Sequence, residues 1–263
     1  TGQLLQVVDK FRQLSDAARV AEATNQLEQQ RMKLTADYTT KLGANVLPED
    51  GQTFTDKYVT QFKDAASNAA LGLTPRQQAM FNAQATQLGM QFQGAVQAHE
   101  TKQLYDHMLD THNNTIKRAI DAAPNSYKDP SALGNLQGRI DGAVANLAQL
   151  QGLDPDGAKL LAVQAHDQFN AAVIGKMMDK NVRDYAGARA YLTAHMGEMS
   201  SGTVSKLDDL LTKRENLAKV TDTVSAVWAD SKLNYEEKTN ALLNAFKDDP
   251  DTQQAAIEQL KLH

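Results

Sequence analysis

Apolar residues recur every three or four positions along most of the chain, the spacing that gathers them on one face of an α-helix. The longest such stretch extends from Thr74 to Ala123, with Pro75 at a favourable first helical position and Pro124 at its end. Its first apolar series is Phe81, Ala85, Leu88, Phe92, Val96 and His99. After a change of register near Lys102, its second series is Tyr105, Leu109, His112, Ile116 and Ala119. The stretch predicts a helix roughly 70 Å long, with packing partners that change along its length.

Two glycines, Gly89 and Gly94, lie inside this predicted helix, where each costs about 1 kcal/mol relative to alanine. They permit either the close approach of another helix or a gentle bend, and we interpret both as packing glycines.

A second long helix is predicted over residues 3–42. Its apolar face consists of Leu4, Val8, Phe11, Leu14, Ala18, Ala21, Leu27, Leu34, Tyr38 and Leu42. This face thins between Ala21 and Leu34, where Asn and Gln dominate, so the helix needs a partner from elsewhere in the chain or from a second subunit. Gly43 is the predicted C-cap, and a shorter helix is expected over 55–71.

After Pro124 the predicted helices become shorter and pair into hairpins. The predicted N-caps along the chain are Thr53 or Thr55, Thr74, Asp129, Asp154, Ser231 or Asn234, and Asp249. The turn Gly72–Pro75 is repeated as Gly152–Pro155, which indicates a duplicated helical hairpin. The segments 182–211 and 235–260 each have the pattern of a helix, a turn and a second helix, as in stacked hairpins.

These patterns predict an all-α fold of long helices and stacked helical hairpins, an elongated bundle or a solenoid-like array. We divide it into a long-helix region at 1–123 and a helical-hairpin region at 124–263. Only 6% of the 263 residues are aromatic, and no apolar–polar alternation of the strand type occurs. The chain opens on Thr1 rather than on Met, so we expect a processed or excised piece of a longer protein.

Composition narrows the functional classes. The chain has no cysteine, which excludes disulfides and thiolate metal sites. Its formal net charge of -5 argues against nucleic-acid binding as the main task, since neutralising phosphates needs a basic surface. No apolar run approaches the roughly 20 residues that span a bilayer. The helices at 3–42 and 74–123 lack the basic polar face of membrane-surface helices, so this segment does not support membrane contact.

Residues capable of catalysis or metal binding are present, but not in the required spacing. A zinc-protease helix needs two His four positions apart, and di-iron bundles need repeated Glu-x-x-His; neither pattern occurs. His107 and Asp110 lie one helical turn apart, and we interpret them as a structural pair rather than as ligands. His99 and His112 fall on the apolar stripe and are interpreted as packing-interface residues. We therefore predict no catalytic, metal-binding or cofactor-binding residues, no cofactor and no enzymatic activity in this segment.

Three stretches nevertheless resemble the helical repeats of internal virion, or DNA-ejection, proteins of short-tailed bacteriophages. They are GLDPDGAKLLAVQAHDQFNAAVIGKMM, DYAGARAYLTAHMGEMSSGTVSKLDDLLTKRE and LNYEEKTNALLNAFKDDPDTQQAAIEQL. The shared features are a GL-x-Pro turn at Gly152–Pro155, a short A-x-A-Y-L helix at Ala188–Leu192 and an acidic-Pro turn at Asp248–Pro250. The resemblance covers about 150–263 well and 55–123 loosely.

This resemblance implies a structural virion protein that lies inside the capsid and passes into the host periplasm and envelope at infection. The expected partners are further copies of the chain and other ejection proteins, with DNA passing through the resulting tube without sequence-specific binding. Some members of this class carry a peptidoglycan-cleaving domain, and no residues here match one. The alternative hypothesis is a monomeric helical-repeat scaffold that binds a partner protein in a groove.

Overall fold

The computed structural model describes residues 2–262, with side chains from Gln6 onward. Within that range it contains nine α-helices and no strand, so the all-α prediction is confirmed. The helices are α1 Gly2–Tyr38, α2 Phe54–Ala69, α3 Pro75–Ala122, α4 Pro130–Leu150, α5 Pro155–Met177, α6 Tyr185–His195, α7 Ser201–Ala229, α8 Tyr235–Ala245 and α9 Pro250–Lys261. Short 3₁₀ turns occupy Gly43–Val46, Ala123–Ser126 and Met196–Glu198.

The helices begin where the capping residues predict. Pro75, Pro130, Pro155 and Pro250 are the first residues of α3, α4, α5 and α9. The carboxylates of Asp129, Asp154 and Asp249 each accept a backbone N–H three residues further along. Of the two alternatives left open in each case, Thr53 caps α2 and Asn234 caps α8. Local side-chain chemistry therefore determines these helix starts.

The first helix ends four residues earlier than the predicted boundary at Leu42. Backbone bonds change from the helical to a tighter pattern at Thr40, whose hydroxyl also bonds the carbonyl of Asp37 at 2.6 Å. Gly43 does adopt a left-handed conformation (φ +56°), but it begins the following 3₁₀ turn rather than capping α1. The hydroxyls of Thr39 and Thr40 thus bond carbonyl oxygens of the last turn of α1.

The chain divides into two compact units, residues 1–111 and 112–263. The boundary falls inside α3, whereas the sequence placed it after Ala123. The reason is that Ile116, Ala119 and Ala123 pack with residues of α4 to α7 rather than with the first unit. The register change near Lys102 marks the approach to this change of partner.

The first unit is a three-helix bundle. Thr24 bonds Gln84, and the backbone N–H of Gly43 bonds the side chain of Gln103, so α1 and α3 run parallel with an offset of 60 residues. The helix α2 runs antiparallel to both. The core of this three-helix bundle consists of Val20, Ala23, Leu27, Tyr38, Val46, Phe54, Tyr58, Phe62, Ala69, Phe81, Ala85, Phe92 and Val96. The apolar stripe predicted for the first half of α3 is thereby confirmed.

The predicted apolar face of α1 is wrong over its first half. Val8, Phe11 and Leu14 are 50%, 70% and 66% exposed, and Ala18 and Ala21 are exposed as well. With the offset of 60 residues, the part of α1 before about residue 15 has no counterpart on α3, which begins at residue 75. Further along, α1 buries a different face, formed by Val20, Ala23, Leu27 and Tyr38. Leu4 lies outside the described side chains.

The two interior glycines of α3 behave differently. A Cβ atom on Gly89 would lie 3.2 Å from the ring of Phe62, so this glycine permits close packing of α2, as predicted. Gly94 has no neighbouring atom within 4 Å of its Cβ position and is exposed, so the packing interpretation is wrong there.

A buried carboxylate joins two helices of this bundle. Glu100 of α3 accepts hydrogen bonds from the backbone N–H groups of Phe54 at 3.2 Å and Thr55 at 3.0 Å. It also accepts the hydroxyl of Thr55 at 2.5 Å. The first turn of α2 leaves its N–H groups without intrahelical partners and carries a positive partial charge. From a neighbouring helix, Glu100 supplies both hydrogen-bond acceptors for these N–H groups and a negative charge beside the positive end of α2.

The second unit contains the predicted helical hairpins, as α4–α5, α6–α7 and α8–α9. Its larger core is formed by residues of the end of α3 and of α4 to α7, centred on Ile140, Phe169 and Leu211. A smaller core joins the second half of α7 to α8 and α9 through Val220, Val224, Leu242, Phe246, Ala256 and Leu260. Leu217 and Trp228 of α7 are exposed and belong to neither core.

Candidate functional site

One group of polar side chains lies where α4, α5 and the 3₁₀ turn after α6 meet. His166 Nε2 is 2.8 Å from Asp141 Oδ1, and its Nδ1 is 4.0 Å from Glu198 Oε2. The same oxygen of Glu198 is 3.2 Å from His195 Nδ1 and accepts from Gln137 Nε2 at 3.4 Å. One carboxylate therefore faces two imidazole rings.

A second polar group adjoins this cluster. The hydroxyl of Tyr191 donates to Asn170 Oδ1 at 2.9 Å, and the ring of Tyr191 lies 4.2 Å from the ring of His195. Burial, with a further contribution from the charge of Glu198, raises the pKa of Tyr191 above its ordinary value. Tyr191 consequently stays neutral and remains a donor at ordinary pH.

Two buried atoms in this region have no hydrogen-bond partner, His166 Nδ1 and Asn170 Nδ2. Asn170 is fully buried and does not line the open groove at Leu192, Met196 and Val204. The cluster's geometry is that of a polar joint between helices, in which each side chain holds its neighbour in place.

The same joint includes an interhelical cap. Asp167 of α5 accepts the backbone N–H and the hydroxyl of Ser200, at 2.8 and 2.6 Å, and the hydroxyl of Thr203 at 2.9 Å. Ser200 is the N-cap of α7. Asp167 thus accepts hydrogen bonds at the start of α7, as Glu100 does at the start of α2. In both units an acidic residue of a long helix holds the start of a neighbouring helix.

The histidines discussed from the sequence lie elsewhere. His99 packs inside the first unit, with Nε2 2.8 Å from the carbonyl oxygen of Lys41 and its ring 5.3 Å from that of Tyr38. His107 and His112 are half-buried on α3, and Asp110 is exposed. Among the described residues, no group of three or more His, Cys, Asp or Glu is arranged to hold a metal ion.

Sequence reasoning missed the cluster around Glu198. Its members come from separate helices, and His166 and His195 are 29 positions apart in the chain. The only local signal was His195 three residues before Glu198, and the two do interact. The approach of His166 depends on how α5 packs against α6, which no spacing within one helix reveals.

Two surface features of the first unit stand out because the described residues leave them uncovered. The first, which we call the α1 stripe, consists of the exposed side chains Val7, Val8, Phe11 and Leu14. The second, the α2–α3 groove, is an apolar groove with Phe62, Ala66, Ala85, Gly89 and Phe92 along its length. Exposed apolar surface that is contiguous commonly marks an interaction site.

The groove also borders an unusual run of α3. From Gln77 to Ala98 the chain contains no Asp, Glu, Lys or Arg, although most of these residues are exposed. Solvent-facing helix surfaces normally carry charges, whereas the centres of protein interfaces are depleted of them. The composition of this run is therefore that of a surface which contacts protein.

In the first unit, Tyr58 and Asp37 form a hydrogen-bonded pair whose pKa values shift in opposite directions. The hydroxyl of Tyr58 donates to Asp37 Oδ2 at 2.5 Å. This bond, with help from Lys41 and Lys57, holds the pKa of Asp37 below its ordinary 3.8. Burial and the hydrogen bond to Asp37 raise the pKa of Tyr58 above its ordinary 10.0. The bond therefore stabilises the fold between these two ordinary values and weakens on either side of that range.

We expect Tyr58→Phe to lower the free energy of unfolding by about 1 kcal/mol near neutral pH, a value discounted because Asp37 is largely exposed. The difference from wild type should shrink as the pH falls below about 4, where unfolding lets Asp37 take up a proton, and above about 10, where unfolding lets Tyr58 ionise. Urea unfolding at three pH values measures this, with Tyr105→Phe on the exposed surface as the control. A difference that does not vary with pH contradicts the assignment.

No helix within the described residues combines the length and apolar character needed to cross a membrane. Comparison of the chain with known protein families, curated proteins and solved structures finds no match.

Proposed function

We propose that this chain is a structural protein of a bacteriophage virion, which assembles with copies of itself into part of a conduit for DNA across the host envelope. The observation that carries the proposal is the α1 stripe. Its four large apolar side chains are exposed, and no described residue covers them. A face of this kind on a helix of 37 residues is explained by assembly. The resemblance of 150–263 to ejection proteins supplies the biological setting.

The charge of the chain suits a conduit rather than a DNA-binding protein. With a formal net charge of -5, its surface does not neutralise phosphates, so DNA can pass without being retained. Its proposed partners are other copies and other ejection proteins, and its proposed location is the capsid interior followed by the host periplasm and envelope. We propose no catalytic role for this segment.

The first test is the mass of the chain in solution by light scattering over a range of concentrations. One copy weighs 28.7 kDa. We expect a species with a defined multiple of this mass, and its fraction should increase with concentration because each added copy removes apolar surface from water. A mass that stays at one copy up to the highest concentrations contradicts homo-oligomerisation.

A second function, a monomeric scaffold for a partner protein, is favoured by one feature of the second unit. The open groove between α6 and α7 is lined by apolar side chains that include Leu192, Met196, Met199 and Val204. Methionine-lined surfaces adapt to varied apolar partners. This function predicts a stable monomer that loses capture of a helical peptide when Val204 is changed to Glu. If the Val204→Glu variant still captures the helical peptide, the groove between α6 and α7 is not the binding site.

A further inference from the structure

We propose that the α1 stripe of one copy docks into the α2–α3 groove of the next copy. The inference rests on the proposed homo-oligomer and adds to it the two contacting surfaces and the polarity of assembly. Both surfaces lie on the first unit, and each is left open by the described residues.

The two surfaces match in length and form. The stripe residues at positions 7, 8, 11 and 14 share one face of α1 and cover about two helical turns, roughly 11 Å. On α3 the groove extends from Asn82 to Gln93, roughly 17 Å. A helix laid between α2 and α3 would make a four-helix bundle of the three-helix unit. Phe11, the largest and most exposed side chain of the stripe, is the natural anchor.

The lining of the groove suits an apolar helix. Small residues, Ala66, Ala85 and Gly89, let a helix approach closely above the stacked rings of Phe62 and Phe92. The rim is polar and mostly uncharged, formed by Ser67, Asn82, Thr86 and Gln93.

Charges do not oppose the contact. Lys63 is the one charged side chain among the lining residues. The part of α1 that carries the stripe, residues 6–16, brings two acids, Asp9 and Asp16, and two bases, Lys10 and Arg12, so its net charge is zero. The side of the groove formed by α3 belongs to the run 77–98, which has no charged residue, so it repels neither acidic nor basic side chains.

The stripe cannot fill the groove of its own copy. Asp16 of α1 bonds Gln77, so the helix direction carries the stripe past the start of α3 and away from the groove. The groove begins level with residue 82, roughly 12 Å further along α3 than the end of the stripe at Leu14. Since α1 is one continuous helix through this region, a second copy has to supply the stripe.

The size and polarity of the contact predict how assembly proceeds. Burying the exposed part of four apolar side chains removes on the order of 400 Å² on the stripe and a similar area on the groove. A total of roughly 800 Å² makes only a weak isolated pair. Because the two surfaces differ, the contact is head-to-tail and leads to rings or open helical tubes, in which every copy except those at an open end makes two contacts. Dimers should therefore be scarce relative to rings or tubes.

Two variants test the contact, one for each surface. Phe11→Glu charges the stripe, and Thr86→Glu charges the groove rim. Both residues are exposed on helices, so neither change disturbs the core of its own copy. The matched controls place the same charge on the faces away from the contact, as Gln13→Glu on α1 and Gln87→Glu on α3. We expect each test variant to be monomeric and each control to assemble as wild type does.

Mixing the two test variants isolates one contact. The stripe of the Thr86→Glu chain remains intact, as does the groove of the Phe11→Glu chain, so the mixture can form a single pair and nothing larger. Since the chain has no cysteine, Ser67→Cys on the Phe11→Glu chain and Ser15→Cys on the Thr86→Glu chain place one thiol on each side of the intact contact and allow capture with a bismaleimide crosslinker. We expect at least a roughly tenfold higher yield of crosslinked pair in the mixture than with either variant alone.

Each outcome decides between the hypotheses. Loss of assembly with Phe11→Glu but not with Thr86→Glu indicates stripe-to-stripe pairing and overturns the inference. Assembly by both variants, or no crosslinked pair in the mixture, overturns it as well. If wild type itself stays monomeric, the proposed conduit fails, while the crosslinking result still decides whether the two surfaces bind.

Discussion

Replacing Phe92 by Ala is expected to lower the free energy of unfolding of the first unit by about 3–5 kcal/mol. Phe92 is 1% exposed and lies at the centre of the three-helix core. Its ring stacks on Phe62 at 5.1 Å and meets Tyr38 edge-on at 6.0 Å, so the truncation empties a space bounded by α1 and α2. The loss has two parts, the transfer free energy of the buried ring that is no longer present and the cost of the cavity left behind.

Hydrogen exchange of the α2 and α3 backbone amides measures this loss within the first unit. The matched control is Met90→Ala, two residues earlier on the same helix, where the side chain is 64% exposed and the change should cost less than about 0.5 kcal/mol. The fluorescence of Trp228, the single tryptophan, reports on the second unit and separates the two transitions. A loss below about 1 kcal/mol for Phe92→Ala would contradict the packing described for this core.

Replacing Glu100 by Ala is the second large effect, expected to cost about 2–4 kcal/mol. The change leaves the N–H groups of Phe54 and Thr55 buried without an acceptor, and each such group costs about 1–3 kcal/mol. It also removes a negative charge from the N-terminus of α2. Glu100→Gln, which keeps an acceptor oxygen but loses the charge, should fall between Ala and wild type.

The loss should be concentrated in the first turn of α2. Hydrogen exchange at Phe54, Thr55 and Asp56 should accelerate before the rest of the helix opens. Glu22→Ala is the control, because Glu22 is exposed on α1 and makes one weak ion pair with Arg19. If Glu100→Ala costs no more than Glu22→Ala, then Glu100 does not cap α2.

The sequence was informative wherever a single helix determines the outcome. Asp154 and Pro155 specify the start of α5 by local chemistry, and the three- and four-residue spacing of Phe81, Ala85 and Phe92 places them on one buried face. The face that α1 buries was not predictable in this way. It depends on the offset of 60 residues between α1 and α3, which leaves Phe11 in solvent although its spacing matches a buried stripe.

The same limit applies to the polar features. Glu100 contacts a helix start 45 positions earlier in the chain, and Glu198 meets His166 from another helix. Neither relation leaves a signature in local spacing, because each arises from the packing of separate helices. The spacing of residues within single helices gave no indication of the joint around Glu198.

Negative-stain electron microscopy of the purified chain is the most direct test of the proposed head-to-tail assembly into a ring or tube. We expect rings or tubes with a central opening, and we expect none when Phe11 is changed to Glu. Particles of single-chain size at every concentration, or assemblies unchanged by Phe11→Glu, would contradict it.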